Sequence, residues 1–191
     1  MDEAARTRRP DVTTLELVGG PEPLAVTLHE HDETWATTFA EHRRRIQEAL
    51  AGSGEDALVE HIGSTSVPGL AAKPIVDLVV GVDDVTAEED HVERLLAAGY
   101  VLRVREPGHR LVRTPERDVH VHVYRRDDPA VGEYLLLRDH LRADAADRAL
   151  YERTKRALME RRWDDSNDYA DAKGAVIAEI KARARAAATR S

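Results

Sequence analysis

One aspartate interrupts an otherwise apolar run, and its position constrains the fold more than any other residue does. The run extends from Ile75 to Val82, and Asp77 is its only charged residue. Continuous β-branched apolar residues are typical of a strand that is buried on both faces. A buried carboxylate is unstable unless the chain supplies a cation, a metal ion or several hydrogen bonds. An internal ion pair with Lys73 or an arginine, or hydrogen bonds to the preceding Ser/Thr loop, explains Asp77 as well as a metal site does.

A segment of small residues precedes this strand. Gly63 and Gly69 permit backbone conformations that other residues avoid. Hydroxyl groups and backbone N–H groups between them are suited to binding an anion, and Lys73 adds a positive charge. The hydroxyl residues of the segment are Ser64, Thr65 and Ser66. We therefore predict a phosphate-binding loop, although a tight turn without a ligand needs the same residues.

Composition excludes several functional classes. The chain of 191 residues has no cysteine, which excludes disulfides, thiolate zinc sites and cysteine nucleophiles. The formal net charge of −8 argues against a general nucleic-acid binder, which needs a basic surplus. The sequence has neither a membrane-spanning apolar run nor the apolar segment of a signal peptide. We therefore expect a cytoplasmic protein without a membrane partner, while its oligomeric state stays open.

The pattern of elements predicts an α+β fold. A helix with an apolar stripe begins near Trp35, and Thr86 begins a capping box ahead of a second helix that ends at Gly99. Strands are predicted over residues 101–105, 110–113 and 119–124, and from about residue 130 the pattern is helical. We divide the chain into a disordered lead-in (1–11), a single domain (12–185) whose sheet half ends near residue 126, and a basic tail (186–191). From Lys181 onward we expect a frayed, solvated helix end.

Seven arginines cluster between Arg103 and Arg126. They alternate with turn residues and a few acids. Solvated edges of β-strands and a phosphate-binding patch both explain such a cluster, and the first explanation is the commoner one.

Residues 60–77 resemble a known family signature. The segment from Glu60 through Gly63-Ser64 to Asp77 is similar to the signature of the GrpB family, a branch of the nucleotidyltransferase superfamily of DNA polymerase β type. The resemblance spans about residues 24–181, including the helix at Trp35, the strand His120-Val121-His122-Val123 and the segments around Arg138, Lys155 and Lys173. It implies a small mixed β-sheet with packed helices, and a nucleoside triphosphate with Mg²⁺ or Mn²⁺ as ligands.

The resemblance also assigns roles, and one position departs from it. The resemblance implies that the Gly-Ser loop binds phosphate and that Asp77 binds the metal. An active transferase of the DNA polymerase β type normally carries a second acid two residues later, and that position is Val79 here. Two-metal nucleotidyl transfer needs several oxygen ligands. His120 and His122 point to one face of their strand and would replace the missing acid if that strand neighbours Asp77. Such a set suits zinc, iron or manganese better than magnesium, whereas surface-facing histidines are the plainer explanation.

Two further residues are candidates for the site. His61 precedes the loop and is either a proton acceptor in catalysis or a packed ring. Arg138 either binds phosphate or pairs with Asp139 on a helix surface.

Three functions agree with these patterns. The first is an enzyme that moves a nucleotidyl group from a nucleoside triphosphate onto a small acceptor with a divalent metal. The second is a noncatalytic module that binds or senses a nucleotide or another phosphorylated small molecule, and Val79 favours it. The third is a histidine-based metallohydrolase.

Overall fold

The apolar run around Asp77 forms an interior strand of a mixed sheet. The computed structural model describes residues 10–20, 27–51, 57–161 and 172–189. The strands within these residues are β1 (Glu16–Leu17), β2 (Leu58–Ile62), β3 (Val76–Val82), β4 (Val101–Glu106), β5 (His109–Arg113) and β6 (Val119–Arg125). They form one sheet in the order β1-β4-β5-β6-β3-β2. Strand β3 pairs parallel with β6, and every other pair is antiparallel.

The predicted α+β class, with a helical C-terminal half, is confirmed. The α-helices of the described residues are α1 (Thr34–Leu50), α2 (Val92–Ala97), α3 (Pro129–Ala143), α4 (Ala145–Met159) and α5 (Gly174–Ala188). Asp128 begins α3 by accepting a hydrogen bond from Ala130 N at 2.8 Å, and Asp144 begins α4 in the same way from Asp147 N at 2.9 Å. None of the described helices is both long and apolar enough to cross a bilayer.

The larger core lies between the sheet and helices α1 and α2. Leu78 and Val80 of β3 are fully buried there against Trp35 and Ile46 of α1. The predicted apolar stripe of α1 is thereby confirmed, because its members meet the sheet at helical spacing.

The opposite face of the sheet carries Asp77. Side chains two residues apart in a strand point to the same face, so Asp77 shares this face with Val79. Val79 packs there with Ile62 of β2 and Val131 of α3. Helix α3 therefore covers the sheet immediately beside the predicted site.

The helical half anchors the small-residue loop. Val67 and Leu70, which follow that loop, are fully buried against Leu141, Tyr151 and Ile180 from the three C-terminal helices. The loop consequently lies where the sheet and the helical half meet.

The predicted helix start at Thr86 is wrong. Helix α2 begins at Val92, and its first residues have no side-chain cap. The Thr86 hydroxyl donates to Asp84 Oδ1 at 2.6 Å, and the Thr86 N–H donates to the same oxygen at 2.9 Å. Asp84 thus organises a turn that occupies the hydroxyl expected to cap the helix.

Solvated strand edges describe only part of the arginine cluster. Arg117, Arg125 and Arg126 are exposed, whereas Arg103 and Arg110 are buried. Arg110 Nε donates to Glu88 Oε1 at 2.6 Å, and its Nη2 donates to Asp11 Oδ1 at 2.8 Å. The cluster is therefore partly an internal ion-pair network, which the charge count alone does not distinguish from a surface.

The expected frayed end from Lys181 is also wrong. Helix α5 continues to Ala188, Lys181 Nζ lies 3.1 Å from Glu133, and Arg183 pairs with Asp147 at 2.6 Å. Glu133 belongs to α3 and Asp147 to α4, so these ion pairs hold α5 against both helices. Residues 1–9 of the predicted lead-in lie outside the described residues.

Candidate functional site

Asp77 lies beside both predicted histidines. Register pairs Asp77 with His120 and Val79 with His122 on the parallel neighbour β6. Asp77 Oδ1 is 3.6 Å from His120 Nδ1 and 3.8 Å from His122 Nε2, and the Asp77 side chain is 28% exposed. Burial raises the pKa of Asp77, but the nearby His122, His120 and Lys173 outweigh it and leave the pKa below its usual value. Asp77 is therefore a partly exposed anion beside two histidines.

The small-residue loop closes directly over this carboxylate. Residues 64–66 form one turn of 3₁₀ helix, and Gly63 precedes them with φ of +71°. The Ser66 hydroxyl donates to Gly63 O at 2.6 Å, and the Thr65 hydroxyl donates to Ile75 O at 3.2 Å. The loop is thereby fixed, and its first N–H groups have no partner within the turn, as at any helix start.

Three lysines surround the loop and the acid. Lys155 of α4 is only 2% exposed; its Nζ donates to Ser64 Oγ at 3.1 Å and to Ala71 O. Burial, with the nearby charge of Lys173, lowers the pKa of Lys155 to about 7. Burial and the same neighbour lower the pKa of Lys73 to about 8, which the charge of Asp77 opposes. Burial also lowers the pKa of Lys173 itself, again opposed by Asp77.

Lys155 and Lys173 lie beside the predicted site but were not among the predicted site residues, although a signal for them exists. The chain contains 24 arginines but only four lysines. Three of these lysines are Lys73, Lys155 and Lys173. Arginine and lysine are interchangeable on most solvated surfaces but not at buried sites, where lysine is a compact point charge. The signal is therefore that three of the four lysines are distant in sequence yet lie around one loop.

His61 points away from Asp77. It pairs with Leu78 across β2 and β3, whereas Ile62 pairs with Asp77, so the His61 ring lies on the opposite face of the sheet. The ring stacks on Phe39 at 4.7 Å, and its Nε2 is 3.1 Å from Thr65 Oγ1. Burial lowers the pKa of His61 to about 4. This position favours the packed ring over the proton acceptor.

Arg138 is engaged by protein groups. Its Nη1 donates to Glu60 Oε2 at 2.6 Å and to His61 O at 3.1 Å, and its Nε donates to Asp139 Oδ1 at 2.7 Å. These contacts join α3 to β2. They leave its phosphate-binding role as a prediction without geometric support.

The position of the second acid is closed. Val79 is fully buried between Ile62 and Val131, so a carboxylate there would enter an apolar cluster. Two magnesium ions need several oxygen ligands and water. The residues present supply one carboxylate beside two imidazoles, and they do not fit a two-magnesium site.

The three predicted metal ligands converge only in part. Both histidines approach the same oxygen of Asp77, but in the described residues the three side chains with all ligand atoms within 4.8 Å of one another are His140, Asp144 and Asp147. Asp147 already accepts from Arg183 Nε at 2.9 Å, and a guanidinium opposes a bound cation. Neither group is a complete three-ligand metal centre.

A second pair of residues behind His122 was not predicted. His109 Nε2 lies 3.1 Å from His122 Nδ1, and His109 Nδ1 lies 2.5 Å from Glu106 Oε1. Residues 109 and 122 belong to neighbouring strands, so only the strand register reveals this contact. Burial lowers the pKa of His109 to about 3, which makes its ring neutral.

Comparison with known proteins identifies the family. The sequence profile described as "GrpB protein" matches residues 25–183. A UPF0157 protein of Streptomyces coelicolor is 67% identical over 187 residues, covering 98% of this chain and 99% of that protein. The crystal structure of conserved protein GrpB from Enterococcus faecalis has a TM-score of 0.71 at 32% identity, covering 83% of this chain and 96% of that chain. The chain belongs to the GrpB family.

A more distant likeness concerns the fold. The structure of the GLD-2/RNP-8 complex has a TM-score of 0.52 at 13% identity, covering 78% of this chain and 58% of that chain. At this identity the comparison supports the nucleotidyltransferase-type fold and nothing further. The fold predicted from the resemblance is confirmed.

Proposed function

We propose that this member of the GrpB family binds the phosphate groups of a nucleoside triphosphate or another phosphorylated small molecule between the Ser64 loop and Lys155. The observation that carries the proposal is the contact between the buried Lys155 ammonium and Ser64 Oγ at 3.1 Å. It joins a cation from the helical half to a loop that offers the Ser64 hydroxyl and the first N–H groups of its turn.

The charge balance of the site supports an anionic ligand. The two acceptors described for Lys155 are a hydroxyl and a backbone carbonyl, both neutral. Lys73 and Lys173 add further positive charge, and Asp77 opposes the lowering of their pKa values. Burying the Lys155 ammonium against neutral acceptors is unfavourable, and an anionic ligand on the loop would relieve it.

Nucleotidyl transfer to a small acceptor is a second candidate, favoured by the nucleotidyltransferase-type fold. A fold hosts many activities, so this support is analogy. The buried Val79 opposes it, because the chain lacks the ligands for a two-metal reaction. Binding without transfer is therefore the better-supported function, and no separate observation favours metallohydrolysis.

The test is a thermal-shift screen of the full chain. The ligands are ATP, GTP, CTP, UTP and inorganic triphosphate, each with and without magnesium or manganese. A ligand at a hundred times its Kd stabilises the fold by about 2.7 kcal/mol, which raises the Tm of a protein of this size by roughly 5–10 °C. Lys155→Met, which keeps the aliphatic stem, is expected to abolish the shift.

Lys181→Met is the matched control, because Lys181 pairs with Glu133 on the surface of the helical half. It should retain the shift of the wild type. Equal shifts in both variants, or no shift with any triphosphate, contradict the proposal. Pyrophosphate release with a panel of small acceptors would establish transfer in place of binding alone.

A further inference from the structure

One of the three hydroxyl groups in the small-residue loop differs from the other two in what it contacts. The Thr65 and Ser66 hydroxyls each donate to a backbone carbonyl, and both of these side chains are buried. The Ser64 hydroxyl instead lies 3.1 Å from Lys155 Nζ, on a half-buried residue that follows an exposed glycine. Ser64 is therefore the hydroxyl of the three that combines access from solvent with an amine neighbour.

Lys155 lies where both its charged and its neutral forms are populated near neutral pH. The side chain is 2% exposed, and burial lowers its pKa to about 7, with Lys173 and Arg156 acting in the same direction and Glu152 opposing them. The Tyr151 ring, whose centre is 4.8 Å from Nζ, favours the ammonium form. A lysine with this pKa can accept a proton at neutral pH, whereas an ordinary lysine stays protonated.

The contacts around Lys155 Nζ suit a base that takes the proton of Ser64. A neutral amine has one lone pair, so Nζ can donate to Ala71 O and accept from the Ser64 hydroxyl without moving. A serine within hydrogen-bond reach of a base that a third group orients is the arrangement that activates a nucleophile. The N–H groups of Ser64 and Thr65 have no acceptor within their turn, and they can donate to an oxyanion.

We infer that Ser64 is a nucleophile, that Lys155 is its general base, and that the pair acts on carboxylic esters. In the first step Ser64 Oγ bonds to the carbonyl carbon, its proton passes to Lys155 Nζ, and the ester bond breaks as the alcohol takes that proton. In the second step water attacks the acyl group and gives a proton to Nζ. The acid then leaves as this proton returns to Ser64 Oγ, which restores the neutral amine.

This chemistry goes beyond the proposed phosphate binding and does not depend on it. The two use different forms of the same side chain, since an anion on the loop holds Lys155 protonated and the reaction with an ester needs it neutral. Both depend on the contact between Lys155 Nζ and Ser64 Oγ.

The test is labelling of the full chain with a fluorophosphonate, whose electrophilic phosphorus stands in for the ester carbonyl. Ser64 Oγ displaces fluoride and stays covalently bound, so peptide mass spectrometry identifies the labelled residue. Ser64 is expected to carry the label in the folded wild type and not after unfolding in urea. Lys155→Met should slow the labelling at least about a hundredfold, the usual contribution of a general base.

The dependence on pH separates a base from a structural contact. The labelling rate of the wild type should rise with pH and reach half of its plateau near pH 7, the pKa of Lys155, because only the neutral amine accepts the proton. Lys155→Arg keeps a cation that cannot be deprotonated, so it should be as slow as Lys155→Met. Lys181→Met, which alters a surface ion pair with Glu133, is the matched control and should label as the wild type does. Circular dichroism verifies that each variant is folded.

Three results would overturn the inference. They are a label on other residues in place of Ser64, no label on the folded wild type, and equal labelling rates in Lys155→Met and the wild type. Inorganic triphosphate at millimolar concentration should protect Ser64, because it would occupy the loop and keep Lys155 protonated. Labelling of Ser64 that triphosphate does not slow would leave the nucleophile in place and would count against the proposed function instead.

Discussion

Gly63 and Asp77 are in direct contact across the site. A Cβ placed on Gly63 would lie 2.6 Å from Asp77 Oδ2, and the φ of Gly63 is +71°. Both the backbone conformation and the close approach therefore require glycine. The contact fixes the distance between the small-residue loop and the acid, so that a ligand on the loop is also beside the carboxylate.

Gly63→Ala is expected to destabilise the protein more than Gly69→Ala does. Gly69 has φ of +74° with no atom within 4 Å of its Cβ position, so it isolates the conformational strain, worth about 1–2 kcal/mol. Gly63→Ala adds the collision with the carboxylate. Urea denaturation of the two variants measures the loss of unfolding free energy in each. In the Asp77→Ala background most of the extra loss at Gly63 should disappear, because only the Cβ of residue 77, at 3.2 Å, remains in the way. Equal losses in the wild-type background would show that the contact imposes no constraint.

Val79→Asp, which introduces the second acid expected of an active transferase of the DNA polymerase β type, is expected to unfold the protein rather than activate it. Val79 is fully buried between β2 and α3, and an unpaired carboxylate there costs several kcal/mol. The comparison is Val101→Asp, at a position 41% exposed, which should change the midpoint of urea denaturation little. A Val79→Asp protein with wild-type stability would mean that the side chain at position 79 reaches solvent in the folded protein.

Local patterns were sufficient to predict the elements that carry Asp77. The apolar run predicts β3, and the alternation in residues 119–124 predicts β6 and places His120 and His122 on one face. That these histidines reach Asp77 depends on parallel pairing of two strands more than forty residues apart, which the sequence supports only through the family resemblance.

The remainder of the site depends on long-range packing. Lys155 reaches Ser64 from 91 residues away, and no local periodicity indicates that contact. His61 shows the converse case, in which a residue close in sequence is not close in space. It is adjacent to the loop in sequence, but side chains alternate along β2 and its ring lies on the other face of the sheet from Asp77. Sequence proximity therefore does not decide between the two interpretations of His61, whereas the strand register favours the packed ring.

The buried Lys155 should make stability rise with pH. Its pKa is lowered from an ordinary 10.5 to about 7, so between these values the unfolded chain binds a proton that the folded protein lacks. Unfolding free energy then increases as pH rises through this range, by on the order of 2 kcal/mol between about pH 7 and pH 9. Urea denaturation across this range should show a steeper rise for the wild type than for Lys155→Met. Parallel curves would mean that Lys155 is solvated in the folded protein.

Glu88→Gln is expected to cost about 3–5 kcal/mol, because it removes the shared anion from two arginines in the protein interior. Glu88 accepts from Arg105 Nε at 2.9 Å and from Arg110 Nε at 2.6 Å, and Arg110 is 2% exposed. Glu48→Gln is the matched control, since Glu48 pairs with Arg44 on the surface and such pairs contribute about 0–1 kcal/mol.

Denaturation of both variants at low and at high salt separates the two environments. Salt screens exposed charges far more than buried ones, so the small effect of Glu48→Gln should vanish at high salt while the loss in Glu88→Gln persists. Because the same network also binds Asp11 through Arg110, Asp11→Asn should weaken it in the same direction by a smaller amount. A loss in Glu88→Gln that disappears at high salt would contradict a buried network and restore the prediction of solvated strand edges.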